Sequence, residues 1–135
     1  MSQKYEAVKK WNQVHPYEYW ATTTISGHKS RGFIASFGRN ELVALAKKSP
    51  SCYICGAPLD WTVGTKNGRV RPNSPTMDRL YRDTSNLRYK ILKLKDVGIA
   101  CHRCNTVKST MTLPEFNRYC KRVVARFAAG RVRKG

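Results

Sequence analysis

Residues 97–108, VGIACHRCNTVK, carry a short apolar run straight into Cys101-His-Arg-Cys104 and on to a lysine. A second pair, Cys52-Tyr-Ile-Cys55, stands upstream. Two C-x-x-C pairs in a chain with no evident secretory leader offer four thiolates to a tetrahedral ion such as zinc. The spacing has a mechanical reason. A two-residue turn points both sulfurs at one centre and leaves backbone N–H groups free to donate to them. Two disulfides are the competing arrangement, disfavoured by the redox poise inside cells. Residues 56–100, between the pairs, exceed what a simple zinc ribbon needs, so something is inserted between the two knuckles.

Working outward, the 135 residues suit one domain with extended ends better than two cores. Lys and Arg number 26 against 8 Asp and Glu, a formal charge of +18. An imbalance of that size points to a polyanionic partner, most simply nucleic acid, whose neutralised phosphates release counterions. With 41% hydrophobic residues the chain is not a disordered basic tail. No apolar run is long enough to span a membrane, and the start, MSQKYEAVKKWNQ, lacks a signal's apolar stretch. A cytoplasmic setting is therefore expected.

Three parts are expected along the chain. Residues 1–38 form a basic, aromatic-rich arm, in which TTTISGHKSRGF reads as a strand-like or extended stretch. Residues 39–127 form the main domain. Asn40 is placed to cap a helix from Glu41 to Lys48, with Leu42, Leu45 and Ala46 inward. Asn67-Gly68 suits a hairpin turn. Thr76–Leu80 and Val97–Ala100 are short segments able to pair as strands, and no structure is assigned to YRDTSNLRYKILKLK between them. Thr112 and Glu115 make a capping box for a helix over Thr112–Phe127, with Phe116, Tyr119, Cys120, Val123 and Phe127 on one face. Cys120 there reads as a small buried thiol, and Trp20 and Trp61 as core residues. Residues 128–135 are a basic tail. From Cys101 onward, nine Lys/Arg face Glu115 alone.

The strings SPTMDRL and VGIACHRCNTVKSTMTLPEF, with the four cysteines, resemble the zinc-stapled HNH (ββα-metal, His-Me finger) endonucleases of phages and mobile elements. The likeness is to the subgroup carrying S-L-D-R-I and later C-x-R-C-N-x-x-K, and it covers Ser49 to Phe116, about half the chain. It implies an α+β fold: a small zinc-stapled ββα-metal core with flanking helices and the basic N-terminal arm. The implied activity is metal-dependent hydrolysis of DNA phosphodiesters, with structural Zn²⁺ on Cys52, Cys55, Cys101 and Cys104 and catalytic Mg²⁺ or Mn²⁺. Asp78 would be the carboxylate ligand of that second ion and Asn105 its other oxygen ligand. Mg²⁺ commonly takes only one or two protein groups, and it would stabilise the leaving 3′ oxygen. Lys108 and Arg103 would face phosphates.

Two positions depart from the family pattern. Arg79 stands where the general-base histidine usually follows the acidic ligand, and an arginine takes no proton near neutral pH. Asp96 stands at the middle-Asn position. His102, inside the second knuckle, is a candidate base or phosphate contact, against a plainer role as a solvent-facing knuckle residue; His28 suits a DNA-contacting arm. Arg118, Lys121, Arg122 and Arg126 form a basic helix face, expected to contact duplex DNA. The bland alternatives are an Asp78 ion pair with a nearby cation, an Asn105 helix cap and a merely solvated basic face. A different class also fits: a degenerate HNH module that only binds nucleic acid or serves an architectural role.

Overall fold

The computed structural model describes residues 3–64, 68–80 and 90–133. Among these residues the chain is α+β, with five helices and two small sheets. Helix α1 (Gln3–Val14) lies on the surface with no buried residue. Pro16, which lacks an N–H, separates it from α2 (Pro16–Ser30). Trp11 stacks on His15 across this joint, ring centroids 4.1 Å apart.

Helix α2 corrects the expected extended reading of TTTISGHKSRGF. Pro16 at the first turn, Glu18 beside it, and His28 and Lys29 in the last turn all suit a helix. Packing decides the matter: Ala21 is fully buried, and α2 lies along α3 (Arg39–Lys47). The arm expected at residues 1–38 is therefore helical over Gln3–Val14 and Pro16–Ser30, and Ala21, Phe33 and Phe37 enter a core with Leu42, Val43, Met77, Leu92 and Val97. Full burial of Leu42 contributes about 2 kcal/mol.

Helix α3 begins slightly before the expected Glu41. Gly38, not Asn40, is its cap residue, because Glu41 reaches back to accept the Gly38 N–H at 3.2 Å. Leu42 and Ala46 are buried as expected, and Leu45 packs between the two cores. The second core joins Ala46, Cys52, Leu59, Ile99, Ala100 and Cys101, with Trp20 and Trp61, edge to face with each other, packed against it.

Strands β1 (Ile34–Ala35) and β3 (Ile91–Leu92) make a minimal parallel pair. The pairing expected between the two short apolar segments forms as β2 (Pro75–Arg79) against β4 (Val97–Cys101), antiparallel, with Asp78 opposite Gly98 and Arg79 opposite Val97. Helix α4 (His102–Lys108) follows β4 without a loop. The Asn67-Gly68 turn falls partly outside the described residues; Gly68 has φ +71°, as the second residue of such a turn requires. Of YRDTSNLRYKILKLK, residues 81–89 lie outside them.

Helix α5 (Leu113–Ala128) is capped as expected, the Thr112 hydroxyl accepting the Glu115 N–H at 3.3 Å. Its apolar face is not closed, however. Phe116 is buried, Cys120 and Val123 are half-buried, and Tyr119 and Phe127 are exposed. The buried thiol expected at Cys120 is thus only partly covered. The start of α5 is tied to the chain just past β2 by Leu113 N–H donating to the Leu80 carbonyl.

Candidate metal centre and adjoining cleft

The four sulfurs of Cys52, Cys55, Cys101 and Cys104 lie within 4.8 Å of one another, and Cys55 and Cys101 are 3.9 Å apart. A tetrahedral zinc with bonds of about 2.3 Å needs sulfurs about 3.8 Å apart, so the donor set fits that ion. None of the cysteines is paired in a disulfide. Each knuckle directs amides at its first sulfur: Ile54 and Cys55 N–H at Cys52, and Cys104 N–H at Cys101. Burial pushes Cys101 and Cys104 up, whereas Cys52, against its own burial, is brought down to about 7 by amides of Cys55, Cys101 and Ile54. Four such thiols cannot all ionise together without a cation between them.

The first knuckle also grips the β2–β4 hairpin. The Tyr53 N–H donates to the Ile99 carbonyl at 3.1 Å, and its ring lies on Gly98. A Cβ at Gly98 would meet that ring at 2.9 Å, so glycine is needed for the approach. Beyond Gly98 the phenol donates a hydrogen bond to Asp78 Oδ2. Burial, then the Asp78 carboxylate, pushes the Tyr53 phenol far above its ordinary range, so it stays a donor.

Asp78 is only 3% exposed and Lys108 not at all. Lys108 Nζ donates to Asp78 Oδ1 and to the Arg79 carbonyl, both at 3.1 Å. This corrects the expected phosphate contact at Lys108: its ammonium points inward from α4 and neutralises the buried carboxylate. Of the readings open for Asp78, the ion pair is the one found, with Lys108 as its partner; Arg82, a neighbour expected to serve, lies outside the described residues. A divalent ion on Asp78 would sit beside that ammonium, so the side chains as they stand do not fit Mg²⁺ there.

An open cleft of about 520 Å³ lies between α2 and the hairpin. His28, Arg31, Asp78, Arg79, Asn105 and Ser109 are among its walls. Arg79 points from β2 toward α2, its guanidinium 4.1 Å from the Phe33 ring centre. The half-buried Asn105 carboxamide has no hydrogen-bond partner among the described residues, so it is not a helix cap; Cys101 fills that place for α4. Ser109 leaves α4 with φ +51°, a conformation that costs a residue with a Cβ of order 1 kcal/mol.

The hairpin and α4 thus bring Asp78, Arg79 and Asn105 together. His102 is half-buried at the start of α4 and is not among the cleft's walls. Arg103 is exposed on α4, and Arg118, Lys121, Arg122 and Arg126 are exposed on α5. His28, expected in a DNA-contacting arm, is instead buried at 7% exposure against the Phe33 ring and reaches the cleft. Its signal was the helical spacing of Tyr17, Ala21, Thr24 and His28, masked by the β-branched run between them.

Fold and site together define a small α+β protein built around a four-cysteine centre able to hold zinc. No family model, curated protein or solved structure matches the chain.

Proposed function

We propose that this protein is a zinc-stapled nuclease of the HNH type that hydrolyses phosphodiesters of duplex DNA. The observation that carries this proposal is the cleft, where Arg31, Arg79 and the unpartnered Asn105 carboxamide converge beside a zinc-type centre in a chain of charge +18. Arg79 on β2 and Asn105 on α4 belong to a unit of strand, antiparallel strand and short helix, the order that the HNH resemblance implies, and Arg31 reaches the cleft from the end of α2. Two guanidinium groups suit a phosphate, which they meet with paired N–H donors. The exposed Arg103 and the α5 row of Arg118, Lys121, Arg122 and Arg126 supply further charge for the flanking backbone.

Mg²⁺ or Mn²⁺ at Asp78 would require the Asp78–Lys108 pair to open. That pair favours a second function, a nucleic-acid-binding or architectural module that has lost catalysis. Nicking of supercoiled plasmid by the zinc-loaded chain, in Mg²⁺, Mn²⁺, Ca²⁺ or EDTA, separates the two. Nicking that Asn105→Ala abolishes while DNA affinity stays near wild type supports the nuclease. DNA binding without nicking under every condition leaves the binding module. Asn105→Ala is a cleaner probe than Asp78→Ala, which would strand the buried Lys108 ammonium.

A further inference from the structure

The nuclease reading leaves one step without a residue: Arg79 occupies the place of the base and cannot accept a proton near neutral pH. The cleft supplies a different group, from a part of the chain outside the hairpin and α4. His28 sits in the last turn of α2, on the opposite wall from Asn105's helix. Its Nδ1 lies 2.9 Å from the Thr24 carbonyl and 3.4 Å from Arg31 Nη2. A carbonyl only accepts, so the shorter contact places the proton on Nδ1. The lone pair is then on Nε2, which no described residue takes.

Resting on the nuclease reading, we infer that His28 is the general base of this cleft, delivered by α2 to a water held against the bound phosphodiester. The water oxygen bonds to phosphorus as its proton passes to His28 Nε2. The bond from phosphorus to the 3′ oxygen breaks, and that oxygen takes a proton from solvent water. Thr24 holds the imidazole tautomer, in the way a backbone carbonyl orients other catalytic histidines. Burial foremost, helped by the Arg31 and Arg79 charges and opposed by the Thr24 bond, lowers the pKa of His28, which keeps it unprotonated and able to act.

The test compares plasmid nicking by the full zinc-loaded chain with His28→Asn and His28→Ala. Asparagine retains a donor for the Thr24 carbonyl and lacks the group at Nε2. Nicking by His28→Asn should fall roughly 100-fold or more, while DNA affinity and the thermal midpoint stay near wild type. Added imidazole should restore part of the activity of His28→Ala. A wild-type chain that nicks, matched by His28→Asn at roughly the same rate, overturns the role of His28 alone. A wild-type chain that never nicks overturns the nuclease reading and this step with it.

Discussion

The two sides of the β2–β4 hairpin are built from similar residues and spend their charges differently. On the knuckle side, Asp78 accepts from both Tyr53 and Lys108, and the Asp78–Lys108 pair is buried, with Asp78 at the edge of the cleft and the Tyr53 ring partly in solvent. On the α2 side, His28, Arg31 and Asn105 meet at an open cleft. A buried charge pair is tolerated when both members are present and hydrogen-bonded, and is costly when one is removed. Groups facing solvent can instead wait for a ligand. The difference teaches that a carboxylate in a strongly basic chain can serve the scaffold through one buried cation, while other polar groups beside it stay open to a ligand.

The largest expected effect breaks the knuckle side outright. Chelating zinc, or Cys52→Ala, should unfold the second core and its hairpin, because metal affinity here is folding energy; zinc-finger peptides gain about 10 kcal/mol or more this way. Circular dichroism during EDTA titration reads it, and an unchanged spectrum would remove zinc from the fold. Next, Lys108→Met should cost about 3–5 kcal/mol in urea melts, with Asp78→Leu in the same chain recovering much of that loss. A Lys108→Met protein of wild-type stability but weaker DNA binding would move Lys108 to the open side. Smaller again, Gly98→Ala should cost about 1–3 kcal/mol by pushing the Tyr53 ring away.

The smallest effect belongs to the α2 side. The pKa of His28 is lowered in the native state, so the unfolded chain binds its proton first as pH falls. Stability from this group is full above about 6.5 and declines as pH drops below that value. The groups that set it are His28 itself, the Arg31 and Arg79 charges and the Thr24 carbonyl. Melting curves of wild type should therefore weaken more steeply below pH 6.5 than those of His28→Asn, and parallel curves would count against a neutral buried imidazole.

Much of the knuckle side was legible in the sequence. Cys52, Cys55, Cys101 and Cys104 announce themselves by spacing, Thr112 and Glu115 mark the start of α5, and β2 and β4 form where apolar pairing was expected. The α2 side was hidden. Thr22, Thr23, Thr24 and Ile25 read as strand formers, and only packing of Ala21 against α3 makes the segment helical. β-propensity registers fit to a half-buried surface, and a tertiary contact of this kind overrides it. The inward turn of Lys108 was equally hidden, since spacing from Asn105 says nothing about which side of α4 the amine takes.

The placement of Tyr53 inside the first knuckle has a kinetic consequence. If an ion leaves the four cysteines by the Cys52–Cys55 turn swinging from the hairpin, that swing withdraws the phenol from Asp78. Metal exchange is thus tied to a hydrogen bond that touches no sulfur. Tyr53→Phe should leave the ligands intact and still hasten release of the ion, so a chelator racing wild type against that variant would time the opening of the whole hairpin.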